Sequence, residues 1–216
     1  MFVMVLKRQR KRLMGIWDEN TESLCRNRRK SQVVGGVDVT AVEIDPQIAA
    51  IYKELYPDDK VIIGDAHKYL LEHFDEYDFI WSSPPCPTHS VLMMTNYHDK
   101  KYLKYPDMTL YQEIIFLKTF YRGKFVVENV KPYYKTLISP SFELNRHYFW
   151  CKEDMIFLGD MPQGVFTDIK DDIDGMENKY GFHLSEYKLE HRKRRQMLRN
   201  CVIPEIGKYI FERVAK

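Results

Sequence analysis

The segment VDVTAVEIDPQIAAIYKELYPDDKVIIGDAHKYLLEHF (residues 37–74) decides the fold. Apolar residues dominate VDVTAVEID (37–45) and then recur at helical spacing in PQIAAIYKELY (46–56). Pro46 falls at the first helical turn, where its missing N–H has no partner to lose. KVIIGD (60–65) repeats the strand reading and AHKYLLEHF (66–74) the helical one. Working outward, DFIWSS (78–83) predicts a third strand, halted by the prolines of PPCPTHS. MTLYQEIIFLKTFY (108–121) predicts a helix and KFVVENV (124–130) a fourth strand. Strands alternating with crossover helices predict an α/β fold with a parallel sheet covered on both faces. Ligands of such sheets bind at the carboxyl ends of the strands. Those ends carry Glu43 and Asp45, Asp65, the PPC turn, and Glu128 with Asn129.

Composition bounds the rest. A chain of 216 residues, 44% hydrophobic and 14% aromatic, is long and apolar enough for one core, which excludes general disorder. The net charge of +2 identifies no partner, but basic residues cluster in KRQRKR (7–12) and HRKRR (191–195). A solvated face is the default reading of such runs, and contact with phosphates is the sharper one. The four cysteines, Cys25, Cys86, Cys151 and Cys201, show no metal-ligand spacing and no disulfide framework, so a cytoplasmic protein without a metal is expected. Cys151 and Cys201 read as small buried apolar residues. The opening MFVMVL precedes its basic residues rather than following them, unlike a signal peptide, and is too short to span a bilayer. Residues 151–190, rich in Asp, Gly, Lys and Tyr, show no sustained periodicity and predict a small irregular lobe. CVIPEIGKYIFERV (201–214) predicts a closing helix that begins near Pro204 and packs back on the sheet.

SSPPCPTHS and, some forty residues later, FVVENV carry the chemistry. Together, each at a strand end, they resemble the Pro-Cys loop and the Glu-Asn-Val strand end of DNA cytosine-5 methyltransferases. The resemblance runs from about residue 37 to the end of the chain, apart from 151–190. It implies a Rossmann-like, S-adenosylmethionine-dependent methyltransferase sheet with a small recognition lobe, acting as a monomer on double-stranded DNA. Carbon 5 of cytosine becomes enamine-like only after a nucleophile adds at carbon 6, and a thiolate does this well. The resemblance assigns that role to Cys86, protonation or holding of the ring nitrogen at position 3 to Glu128, and loop orientation to Asn129. Arg146, in NRHYFW, resembles the arginine that opens a late family strand and helps to hold the base or Glu128, although the glutamine that usually precedes it is absent. The target base must leave the duplex, at a cost of roughly a few kcal/mol. For the cofactor, Glu43 suits the ribose hydroxyls, Ile44 the adenine ring and Asp65 the adenine amino group. The resemblance also assigns Ala66 and Pro85 to the cofactor site, and Asn200 in RNCVIP resembles the family's closing return to the cofactor pocket. Ser90, Arg192, Lys193, Arg194 and Arg195 are the expected DNA contacts.

The start of the chain departs from this pattern. Family members open with a strand and a Gly-rich turn close to FAGIGG, which lets backbone approach the methionine end of the cofactor. This chain instead reads WDENTESLCRNRRKSQVVGG (17–36). With one consistent choice of codons, residues 17–34 read one nucleotide later, borrowing the first base of Gly35, give GMKILNLYAGIGGNRKLW. That string contains a start methionine, an apolar strand and the absent turn. Residues 1 to about 35 are therefore expected to be a frame-shifted translation plus upstream sequence, and a diverged extension is the alternative. Loss of the first strand is expected to remove a central member of the sheet. The expected organisation is an aberrant segment 1–36, a catalytic core 37–150, a recognition lobe 151–195 and a returning helix 196–216. A non-catalytic remnant or DNA-binding module is the competing function. An adenine-directed enzyme is disfavoured by PPC together with ENV. The small size suits a phage or mobile-element enzyme.

Overall fold

The computed structural model describes residues 3–7, 38–91, 93, 105–144, 146–152, 172–202 and 204–214. Most of KRQRKR, the segment 17–36 and residues 153–171 of the expected lobe lie outside the described residues. Strands β1 (Val3–Lys7), β2 (Asp38–Glu43), β3 (Lys60–Ile63), β4 (Phe79–Ser82), β5 (Lys124–Val130), β6 (Phe142–Leu144) and β7 (His147–Cys151) form one sheet in the order β3-β2-β1-β4-β5-β7-β6. Helices α1 (Pro46–Leu55), α2 (Ala66–His73) and α3 (Thr109–Phe120) connect the strands. Helices α4 (Ile173–Tyr180), α5 (His191–Arg199) and α6 (Pro204–Val214) follow the sheet.

The fold is mixed α/β, and its sheet is mixed rather than parallel. β2 pairs parallel with β3, and β4 with β5. β1 runs antiparallel to both β2 and β4, while β7 runs antiparallel to β5 and β6. The expected loss of a central strand is thereby corrected, because Val3–Lys7 fills the position between β2 and β4. A short strand can complete the ladders of both neighbours in either direction, which is what the backbone groups of β2 and β4 require.

Alternation along the strands divides the core. Phe79, Trp81 and Val126 face one cluster with Ile51 of α1 and residues of α4, α5 and α6. Ile80, Phe125 and Val127 face the other, with Leu70 of α2 and Leu110, Ile114 and Leu117 of α3. Period-2 alternation between two buried faces is why these strands read as continuous apolar runs. The expectation of an irregular stretch over 151–190 is corrected over Ile173–Tyr180, because α4 is a regular helix. Asp172 caps it by accepting from Gly175 N, and Gly181 closes it at φ 67°, a left-handed conformation that suits glycine.

Candidate active site

β4 and β5 are paired up to the carboxyl end of β4, where a loop starts. β4 stops at Ser82, paired with Val127, and Pro84 and Pro85 offer no N–H with which to continue the ladder. β5 runs on through Glu128 and Asn129. Asn129, buried, donates from Nδ2 to the Pro84 carbonyl at 3.0 Å, and its Oδ1 accepts from Val130 N at 2.9 Å. The amide therefore clamps the departing loop to the strand that carries Glu128. Cys86 follows at once, and its carbonyl accepts from His89 N at 3.0 Å and Ser90 N at 3.1 Å, forming one helical turn. Tyr133 N donates to the His89 carbonyl at 3.2 Å, and Ser90 bridges to Pro132, so the turn is stitched to the chain beyond β5.

Cys86 is half-buried, and burial together with the nearby charge of Glu128 pushes its thiol above the usual range. The two groups that the sequence paired are thus brought within electrostatic reach. Glu128 is also near His147, the first residue of β7, with Nε2 3.5 Å from Oε1. Glu128 is opposite Phe149 in the ladder, so His147 is its diagonal neighbour on the same face. Arg146 precedes β7, exposed, with its carbonyl accepting from Lys131 N at 2.7 Å. Its charge bears on Arg199, which burial and then the charges of Arg195 and Arg146 hold below the usual range.

A cavity of about 380 Å³ opens between the end of β2 and α5. Glu43, Ile44, Asp45, Arg192, Lys193 and Asn200 are among its lining residues. Glu43 is buried and accepts from Asp45 N at 2.9 Å, while Ile44 is 60% exposed, an apolar face open to a planar ligand. Asn200 caps the end of α5. Asp65, Ala66 and Pro85 do not line the cavity. Asp65 caps α2 by accepting from Lys68 N at 3.1 Å, Ala66 is buried behind it, and Pro85 is exposed on the Cys86 loop. The β3 end is tied to that of β2 by Gly64 N donating to the Glu43 carbonyl at 3.1 Å.

The basic helix α5 has internal partners. Lys193 Nζ is 2.7 Å from Asp45 Oδ2 and donates to Gln47 Oε1 at 2.8 Å, and it holds the Asp45 carboxyl below the usual range. Arg194 pairs with buried Glu177 of α4, Nη2 at 2.6 Å and Nε at 2.8 Å. Arg192 is exposed and Arg195 half-buried.

The sequence model of the C-5 cytosine-specific DNA methylases matches residues 30–137, half of the chain. The chain belongs to this family. No curated protein and no solved structure matches it. The family's reaction is methyl transfer to cytosine, and the family acts on DNA. The matched span holds Glu43, Ile44, Asp65, Ala66, Pro85, Cys86, Ser90, Glu128 and Asn129, while Arg146, the α5 arginines and Asn200 lie beyond it. Among the described residues there is no group of three or more His, Cys, Asp or Glu able to hold a metal ion, and no helix long and apolar enough to cross a membrane.

Two features of the methylase's site escaped the sequence. His147 comes to Glu128 through the pairing of β7 with β5, which is long-range in sequence. Glu113 of α3, fully buried, accepts from Ser82 Oγ at the end of β4 and from His67 Nδ1 at 2.9 Å. That bond raises the His67 pKa against the opposing effect of burial. A glutamate within the apolar stripe of TLYQEIIFLKTF was the available signal for a buried polar network.

Proposed function

We propose that this methylase transfers a methyl group from S-adenosylmethionine to carbon 5 of cytosine in duplex DNA, through a covalent adduct of a flipped base with Cys86. The observation that carries the reading is the Asn129 clamp, which holds the Cys86 loop against the strand end bearing Glu128. The cavity's donor set fits the nucleoside end of the cofactor: a buried carboxylate at Glu43 suits ribose hydroxyls, and exposed Ile44 suits the adenine face. When bound, S-adenosylmethionine supplies an electrophilic methyl group. The chain's own residues do the rest. Cys86, as thiolate, adds to carbon 6 of the base and is expelled when the carbon-5 proton leaves. Glu128 holds or protonates the ring nitrogen at position 3.

The raised thiol pKa makes these two roles interdependent. Glu128's charge opposes the Cys86 thiolate. To hold or protonate the ring nitrogen Glu128 must itself carry a proton, and in that state its charge no longer opposes ionisation of the thiol. His147 steadies Glu128 from β7. Arg192, Arg195, Arg199 and Arg146 supply phosphate contacts, while Lys193 and Arg194 pair with Asp45 and Glu177. The sheet order is read as the Rossmann-like methyltransferase arrangement with its first strand reversed.

A second reading, a non-catalytic remnant, is favoured by one observation. β1 runs away from the site edge, so it leads no turn toward the methionine end of the cofactor. We propose that the alternative frame supplies the missing strand and turn. The test is transfer of labelled methyl from S-adenosylmethionine to mixed-sequence duplex DNA, comparing this chain with one restarted as MKILNLYAGIGGNRKLW, each beside its Cys86→Ser variant. Activity in the restored chain alone, abolished by Cys86→Ser, supports both the reaction and the frame shift. Equal activity in both chains overturns the frame shift. Inactivity of both well-folded chains overturns the enzyme reading in favour of the remnant.

A further inference from the structure

The turn that carries Cys86 ends in a histidine that the proposed chemistry does not use. The His89 side chain is fully buried, three residues from the nucleophile. Its Nδ1 is 2.5 Å from the Tyr134 hydroxyl. The Tyr111 hydroxyl donates to that same Tyr134 oxygen at 3.3 Å, and itself accepts from Leu137 N at 3.2 Å.

Proton counting fixes the direction of this chain. A phenol has one proton, and Tyr111 spends its own on Tyr134. Tyr134 then donates to His89, so Nδ1 is the acceptor and Nε2 bears the ring proton. Among the described residues, Nε2 has no hydrogen-bond partner of ordinary geometry. The Asp107 charge, and then its main chain, favour the protonated ring, although the main-chain contact falls outside ordinary hydrogen-bond geometry. Burial holds the imidazole's pKa below the usual range, so the ring is neutral. An unmet buried N–H is a destabilising feature, and apolar side chains fill buried sites without it. The same turn is held from the other side, where Asp107 N donates to Thr88 Oγ1 at 2.9 Å.

We propose that His89 is a positioning residue for Cys86. The chain Leu137–Tyr111–Tyr134–His89 anchors the nucleophile's turn to the segment beyond β5, and so sets how deeply the thiol is buried beside Glu128. This rests on Cys86 being the nucleophile, but its test needs neither DNA nor cofactor.

The test is the rate of alkylation of Cys86 by iodoacetamide as a function of pH, read by mass spectrometry of the Cys86 peptide. Because burial is the main force raising the thiol pKa, loosening the turn speeds alkylation at neutral pH and moves the profile to lower pH. His89→Phe and Tyr134→Phe are each expected to raise the neutral rate about fivefold, the equivalent of one ordinary hydrogen bond. The double variant is expected to add nothing further, since both changes break one chain. His89→Asn, whose Oδ1 can take the place of Nδ1, is expected to restore the profile. Rates at Cys86 that do not change in Tyr134→Phe, or effects that add in the double variant, overturn the proposal and leave His89 as a core residue. If His89→Phe fails to fold, Tyr134→Phe and His89→Asn decide between the same outcomes.

Discussion

Arg194→Ala separates structure from DNA binding in helix α5. Glu177 is the partner at stake, with its side chain only 2% exposed. Its Oε1 accepts from Arg194 Nη2 at 2.6 Å, Arg194 Nε at 2.8 Å and Leu184 N at 3.0 Å, and His183 Nδ1 lies 3.1 Å from Oε2. Removing one member of a buried ion pair costs about 3–5 kcal/mol, because the other charge is left uncompensated. Two facts reduce this. Arg194 is 21% exposed, so water screens part of the interaction, and Leu184 N and His183 remain. The expected loss is about 2–3 kcal/mol. For a chain of this size that lowers Tm by about 5–10 °C.

The pH dependence has a definite sign. Burial pushes the Glu177 carboxyl up, but the Leu184 N–H, Arg194 and His183 outweigh it and hold the folded-state pKa below the ordinary 4.5. The stabilisation is therefore full above pH 4.5 and is lost as pH falls through the folded-state value, so the gap between native chain and variant narrows in acid. Thermal denaturation followed by circular dichroism, at neutral and acidic pH, measures both. Filter binding to mixed duplex across a salt series measures the alternative. If Tm holds within about a degree while DNA affinity drops and the salt slope shallows, the structural assignment of Arg194 is refuted.

Glu128→Gln removes the negative charge that raises the Cys86 thiol, so the pH midpoint of Cys86 alkylation should move down; an unchanged or higher midpoint contradicts the electrostatic pairing. Asn129→Ala leaves the Pro84 carbonyl without its donor and should cost about 1–3 kcal/mol in urea denaturation, with any methyl transfer falling further than stability alone explains. Lys193→Ala breaks a pair whose members are 29% and 31% exposed, so its cost should stay below about 1 kcal/mol, well under that of Arg194→Ala in the same denaturation assay.

The central strands and first three helices were legible because their signals are local. Asp45 was placed at a strand end, and its carboxylate caps α1 by accepting from Gln47 N and Ile48 N, with Pro46 following. β5 occupies the expected 124–130, while β2, β3 and β4 are two or three residues shorter than read. A ladder ends where its neighbour ends, and no sequence window contains the neighbour. Helix α4 had both end signals, Asp172 and Gly181, yet its buried stripe of Ile173, Met176, Glu177 and Tyr180 contains a glutamate that breaks the apolar pattern. The same glutamate gives Arg194 a buried partner that the sequence does not reveal, since a basic run looks solvated until its acid is found. Cys86, Glu128 and Asn129 were legible as two motifs, whereas His147, His89 and Glu113 owe their places to contacts between distant strands and helices.

The reversal of β1 has a topological cost that its hydrogen bonds conceal. Val3 is opposite Val42 and Ser82, and Lys7 is opposite Asp38, so the strand points from the reactive rim of the sheet to the far one. The chain leaves the far rim after Lys7 and re-enters at that same rim to begin β2. Whatever residues 8–37 do, both of their tethers are a full strand's length from the thiol. A ladder measures whether a slot is filled, but only the polarity of its occupant decides which rim receives the next turn of chain.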